Sequence, residues 1–132
     1  MLIQYDLAQG GTNPQLFLSR WIAVGDAGKT AADCEANNAL PCWGTKQNLT
    51  AQGDATGSIN TTSIPNADSD GLGAMSARTF GEAQIDFDAL TGGTQKCVSF
   101  GSAYLKSRSS DSFTAALKDI IPSPWNSTSA PR

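Results

Sequence analysis

The chain has 132 residues, the size of one domain, and a net charge of −3 with no basic cluster, which argues against a nucleic-acid partner. It contains no histidine, so Ser-His-Asp and Cys-His nucleophiles and His-ligated zinc are excluded. No stretch approaches the roughly 18 apolar residues of a membrane-spanning helix, and residues 2–7 are too short and too polar for the apolar part of a signal peptide.

Thirteen glycines, with abundant Thr, Ser and Asn, predict a mainly β fold of short strands joined by turns. Residues 2–7 alternate, with Ile3, Tyr5 and Leu7 on one face and Gln4 and Asp6 on the other. Residues 9–14 read as a turn through Gly10, Gly11 and Pro14. Residues 15–24 form the strongest strand. Leu16, Leu18, Ile22 and Val24 share one face and Phe17 and Trp21 the other, so both faces call for cover. Arg20 interrupts the first face and is expected to snorkel at the rim in preference to a buried ion pair. Residues 25–44 are a long aperiodic loop, of a kind that tends to be functional or cross-linked. Cys34 and Cys42 lie within it, close enough in sequence to close a small ring or to remain two buried thiols, and Cys97 is left over as an unpaired thiol. Pro41 and Trp43 look like a packed lid over the core edge, with Trp43 a core residue in preference to a sugar platform.

Two weak polar strands over 45–50 and 55–62 are expected near a sheet edge, followed by a loop over 64–75. Residues 78–90 return to alternation, with Ala83, Ile85 and Phe87 inward and Glu82, Gln84, Asp86 and Asp88 outward. Thr91-Gly92-Gly93-Thr94 reads as a hairpin turn that pairs this strand with one over 96–108, where Val98, Phe100 and Tyr104 keep a period of two. Beyond a serine-rich corner the period changes. Phe113, Leu117 and Ile120 or Ile121 recur at helical spacing, which predicts one short helix over 113–120, capped by Ser110 or Asp111. The domain is expected to span 1–121, and residues 122–132, with Pro122, Pro124 and a Ser/Thr-rich end, read as an exit segment.

The run from Leu105 through Asp111 to Thr114, followed by Leu117-Lys118-Asp119, resembles the end of a large N-terminal domain found in secreted, wall-attached proteins of Gram-positive bacteria. In that family the domain precedes arrays of pilin-like or prealbumin-like β-repeats. Three other segments fit in the same order: Gly10–Pro14 leading into Arg20-Trp21, Ala39–Gly44 around Cys42, and Thr79–Ala83. The resemblance covers about residues 3–121, and it is to the later part of the family's domain. It implies an extracellular, β-rich, adhesive or structural protein whose upstream strands lie outside this stretch. An oxidising location in turn favours the Cys34–Cys42 bridge. The expected architecture is an antiparallel β-sandwich of jelly-roll or lectin-like type.

Asn66, Asp68 and Asp70 place oxygen ligands at alternate positions before Gly71, half of a calcium loop, although Ala77 stands where an EF-hand-type loop needs Glu. Asx-rich turns have the same composition without metal. Glu82, Asp86 and Asp88 are expected to form an exposed acidic ladder with Lys96, Lys106 and Arg108 as counter-charges, so no catalytic residue and no cofactor beyond calcium is assigned. Asn48, Asn60 and Asn126 each begin an N-x-S/T triplet. The expected function is a non-enzymatic structural or adhesive module. Its free sheet edges would pair with a neighbouring domain or a second copy. The alternatives are a carbohydrate-binding domain that takes glycans, with or without calcium, and a self-assembling filament subunit that uses strand addition.

Overall fold

The computed structural model describes residues 1–36, 39–93, 102–110, 112 and 115–122. The expectations placed on Lys96, Cys97, Val98, Phe100, Asp111, Phe113, Asn126 and the exit segment beyond Pro122 lie outside the described residues.

The fold is mainly β, and every strand pair among the described residues is antiparallel. Strand β1 (Leu2–Leu7) and strand β2 (Asn13–Ser19) form a hairpin, closed by a single helical turn, α1 (Ala8–Gly11). The strand expected over 15–24 divides in two. β2 stops at Ser19, and β3 (Trp21–Ile22) turns away to pair with β4 (Cys42–Trp43) in a separate sheet. The break is at Arg20, whose carbonyl accepts from the Gly44 N–H at 2.8 Å. Its guanidinium is exposed and donates to the carbonyls of Leu90 and Ala89, both at 3.1 Å, so among the described residues it meets backbone oxygens and no carboxylate. Leu16, Leu18 and Ile22 are buried as their shared face predicts, but Val24 is 73% exposed because the chain has left the sheet by then.

The weak strand expected over 45–50 shrinks to β5 (Gln47–Asn48), which adds to β2. Asn48 ends it. The Asn48 side chain accepts from the Ala51 N–H at 2.9 Å and so caps α2 (Leu49–Gln52), which closes on Gly53 in the left-handed region. Strand β6 (Ala55–Ile59) then pairs with β7 (Gly81–Ile85). Between them the loop over 60–80 is organised by Asn60. Its Oδ1 accepts from the Thr79 and Phe80 N–H groups, and its Nδ2 donates to the carbonyls of Thr62 and Ser76.

Two expectations about the C-terminal half are corrected. The strand expected over 78–90 ends at Ile85, because Asp86 accepts from the Asp88 N–H at 2.8 Å and starts α3 (Phe87–Thr91). Gly92, in the left-handed region, closes that helix, so the Thr91–Gly93 segment is a helix end and not a hairpin turn. The partner of β7 is accordingly β6. The helix expected over 113–120 is replaced by a strand: β8 (Tyr104–Arg108) pairs with β9 (Leu117–Pro122), Leu105 opposite Ile121 and Lys106 opposite Ile120. Adjacent β-branched Ile120 and Ile121 followed by Pro122 suit an extended chain better than a helix end, and cross-strand pairing decides between the two periods.

The core is small. Leu16, Leu18, Leu49 and Ala55 are buried together, with Tyr5, Ile85, Ala89 and Leu90 packed against them. The Tyr5 hydroxyl donates to the Ser58 carbonyl at 2.9 Å, with that of Glu82 also in reach at 3.3 Å, which fastens the β6–β7 pair to the β1–β2 face. The four sheets are small and unclosed, and β1 and β7 are paired on one side only among the described residues. No described helix is long and apolar enough to cross a membrane.

Leu18 and Ser19 are both buried, yet their truncation should differ in sign. Leu18→Ala is expected to lose about 2–5 kcal/mol through the cavity it leaves. The Ser19 hydroxyl is buried with no hydrogen-bond partner among the described residues, so Ser19→Ala should be neutral or gain about 1 kcal/mol. Urea midpoints of the two variants measure this, and a large loss for Ser19→Ala would show that the hydroxyl is paired.

Candidate functional site

The most constructed corner of the molecule lies where the long loop returns to the sheet. Thr30 opens a short 3-10 turn, Ala31–Asp33. The Asp33 carboxylate accepts from the Thr30 N–H at 2.9 Å and from Lys29 Nζ at 3.1 Å. The bond from the Thr30 backbone, ahead of that from Lys29, holds the Asp33 carboxyl below its ordinary value of 3.8. The turn delivers Cys34 to Cys42, and the two form a disulfide with Cα atoms 5.8 Å apart. The Glu35 N–H donates to the Trp43 carbonyl at 2.9 Å and the Thr45 N–H to the Asp33 carbonyl at 3.0 Å, so the loop is stitched to β4 on both sides of the bridge. Gly44 permits the close approach, since a Cβ there would stand 3.1 Å from Ile22 Cδ1 and 3.2 Å from the Arg20 carbonyl.

Trp21 and Trp43 are directly opposite in the β3–β4 pair. Their rings meet edge to face, centroids 5.1 Å apart and planes at 74°. Trp21 is 50% exposed and Trp43 half-buried, so Trp43 is neither a full core residue nor a free platform. Beside them opens a cleft of about 270 Å³, walled by the two indoles, Glu35, Ala39, Pro41 and the disulfide at Cys42. The Leu40–Pro41 peptide is cis. Glu35 Oε2 accepts from the Lys46 N–H at 2.7 Å, and Lys46 Nζ stands 3.8 Å from Oε1. That ammonium also lies over the Phe17 ring, 5.3 Å from its centroid.

The other candidate residues are placed apart from this corner. Asn66 and Asp68 lie in an exposed 3-10 turn, and Asp70 follows it with φ 50°. The turn's inward contact is the Ser69 hydroxyl donating to the Asn66 carbonyl at 3.0 Å. Among the described residues no group of three or more His, Cys, Asp or Glu side chains is placed to hold a metal ion; the Asn66, Asp68 and Asp70 set contains two such acids. The acidic ladder is not formed. Glu82 lies on β7, whereas Asp86 caps α3 and Asp88 belongs to it, and the expected counter-charges Lys106 and Arg108 lie on β8 in another sheet. Asn48 Nδ2 donates to Gln15 Oε1, and both amide protons of Asn60 are taken up by carbonyls, so each of these two amides is engaged within the fold. Compared with protein-family models, curated proteins and solved structures, the chain matches none of them.

Sequence reading singled out the cysteines and Trp43 but not the pairing of Trp21 with Trp43. The signal was available only as two tryptophans flanking a loop that a disulfide could close.

Two outcomes follow for this corner. Replacing both Cys34 and Cys42 by Ser should lower stability by about 2–3 kcal/mol in the chain-entropy account of a loop this short, read from urea denaturation, with non-reducing mass spectrometry showing the joined peptides in the parent chain. Asp33 ionises more readily folded than unfolded, so its contribution is complete above its ordinary value of 3.8 and is lost as pH falls through its lower folded value. Asp33→Asn should remove that part of the acid limb of a melting-temperature profile; an identical limb in the variant would show that other carboxylates account for it.

Proposed function

We propose that this chain is a non-enzymatic extracellular structural or adhesive module, part of a β-sandwich whose apolar faces and sheet edges are completed by a neighbouring domain or a second copy. The observation that carries the reading is the β8–β9 hairpin. Tyr104 is 68% exposed and Ile121 57%, and Leu105, Leu117 and Ile120 are exposed as well. None of them belongs to the buried core cluster or packs against it. A two-stranded hairpin is marginal in water unless one face is covered, and here both faces carry exposed apolar side chains, Leu105 and Ile121 on one and Tyr104 and Ile120 on the other. Strand β1 adds to this, since its outer edge is unpaired among the described residues and Ile3 and Leu7 are exposed along it. The disulfide supports an oxidising, extracellular location. A chain without histidine, whose acids do not converge among the described residues, supports a binding role in preference to a catalytic one.

Sedimentation of the isolated chain over a concentration series tests this. Self-association is expected, together with binding of an apolar dye. Ile120→Lys and Leu105→Lys, both at exposed positions, should reduce association without lowering the melting temperature by more than a few degrees. A monodisperse monomer that binds no dye and melts cooperatively at every concentration would overturn the reading.

A further inference from the structure

We propose that the corner formed by Trp21 and Trp43 binds a quaternary or methylated ammonium group, the head group chemistry of choline. Trp21 and Trp43, whose rings meet at 74°, line a cleft of about 270 Å³ together with Glu35. Aromatic faces attract a cation through the ring quadrupole, indole most strongly, and a carboxylate supplies the countercharge. Lys46 holds that carboxylate from outside the cleft, by its N–H at 2.7 Å and its ammonium at 3.8 Å, so the acid is positioned before any ligand arrives. The neighbouring walls are fixed too, by the Cys34–Cys42 bridge and the Glu35 to Trp43 backbone bond.

The polarity of the walls selects among ligands. Among the described residues that line the cleft, Glu35 is the one with a charged side chain, and Ala36, Ala39 and Pro41 add apolar surface. A sugar ring brings several hydroxyl groups, each of which loses its water on entry and needs a partner. A primary ammonium brings three N–H donors with the same requirement. A quaternary ammonium has positive charge, an apolar surface and no donor, so aromatic walls and a single carboxylate satisfy it. An anion is disfavoured by Glu35.

This site is independent of the association proposed above, because neither Trp21 nor Glu35 lies on β1, β8 or β9. The test is a titration of the full chain followed by NMR at the indole N–H signals of Trp21 and Trp43. Choline and tetramethylammonium should shift both signals saturably, whereas 3,3-dimethyl-1-butanol, the uncharged analogue of choline, should not. Trp21→Ala should weaken binding roughly 2- to 30-fold, the span of one cation–π contact, and Trp21→Phe by less. Glu35→Gln, which keeps an oxygen for the Lys46 N–H, should weaken it as well. Should Trp21→Ala fail to fold, Trp21→Phe and Glu35→Gln carry the test. Equal shifts from the uncharged alcohol, shifts from a methyl glycoside in place of choline, or choline binding undiminished in the folded variants would each overturn the proposal.

Discussion

Burial of Leu16 and Leu18 on one face of β2 is the interaction from which the described structure extends. The strand pairs with β1 along one side and β5 along the other. The Leu16 N–H, where β5 is too short to meet it, donates to Thr50 Oγ1 at 2.9 Å. The β6–β7 pair reaches this face only because residue 57 is glycine: a Cβ there would lie 2.7 Å from Tyr5 Cε2 and 3.0 Å from Leu16 Cδ1. A leucine removed from water contributes about 1.5–3 kcal/mol, and the cluster of buried residues holds three of them. A core of that size cannot organise long loops by packing alone, so elsewhere the chain relies on local devices. Asn60 satisfies four backbone groups across the loop over 60–80, Asn48 and Asp86 start helices, and a disulfide closes the turn that holds the tryptophans.

The two surfaces singled out above differ in physical kind. The β8–β9 hairpin presents exposed apolar side chains on both faces with backbone edges beside them, the kind of surface that strand addition uses. The tryptophan corner is concave, narrow and held from several sides, which suits a small group recognised by charge and shape.

Where the sequence pattern was local and unambiguous, its reading and the structure agree. The strand over 2–7, the strand beginning at Ala55 and the loop from Ile64 to Met75 belong to this group. The misreadings came where two periods or two roles fit the same residues. Asp86 and Asp88 alternate correctly for a strand face, but Asp86 is also an N-cap, and capping prevailed one residue before Phe87. Gly92 and Gly93 serve a hairpin turn or a helix end equally well. Leu117, Ile120 and Ile121 satisfy helical spacing, yet Lys106 and Leu105 face Ile120 and Ile121 across a ladder.

By itself, the sequence determined a mainly β chain and the residues of the core strand, and it placed two cysteines near enough to close a ring. These follow from side-chain period, turn chemistry and spacing, all properties of neighbours along the chain. Tertiary structure alone decided which strands pair, that the run over 15–24 breaks at Arg20 into two sheets, and that Trp21 meets Trp43. The reason is that Arg20 turns on a carbonyl bonded to Gly44 and a guanidinium bonded to Ala89 and Leu90, partners that become neighbours only when the chain has folded.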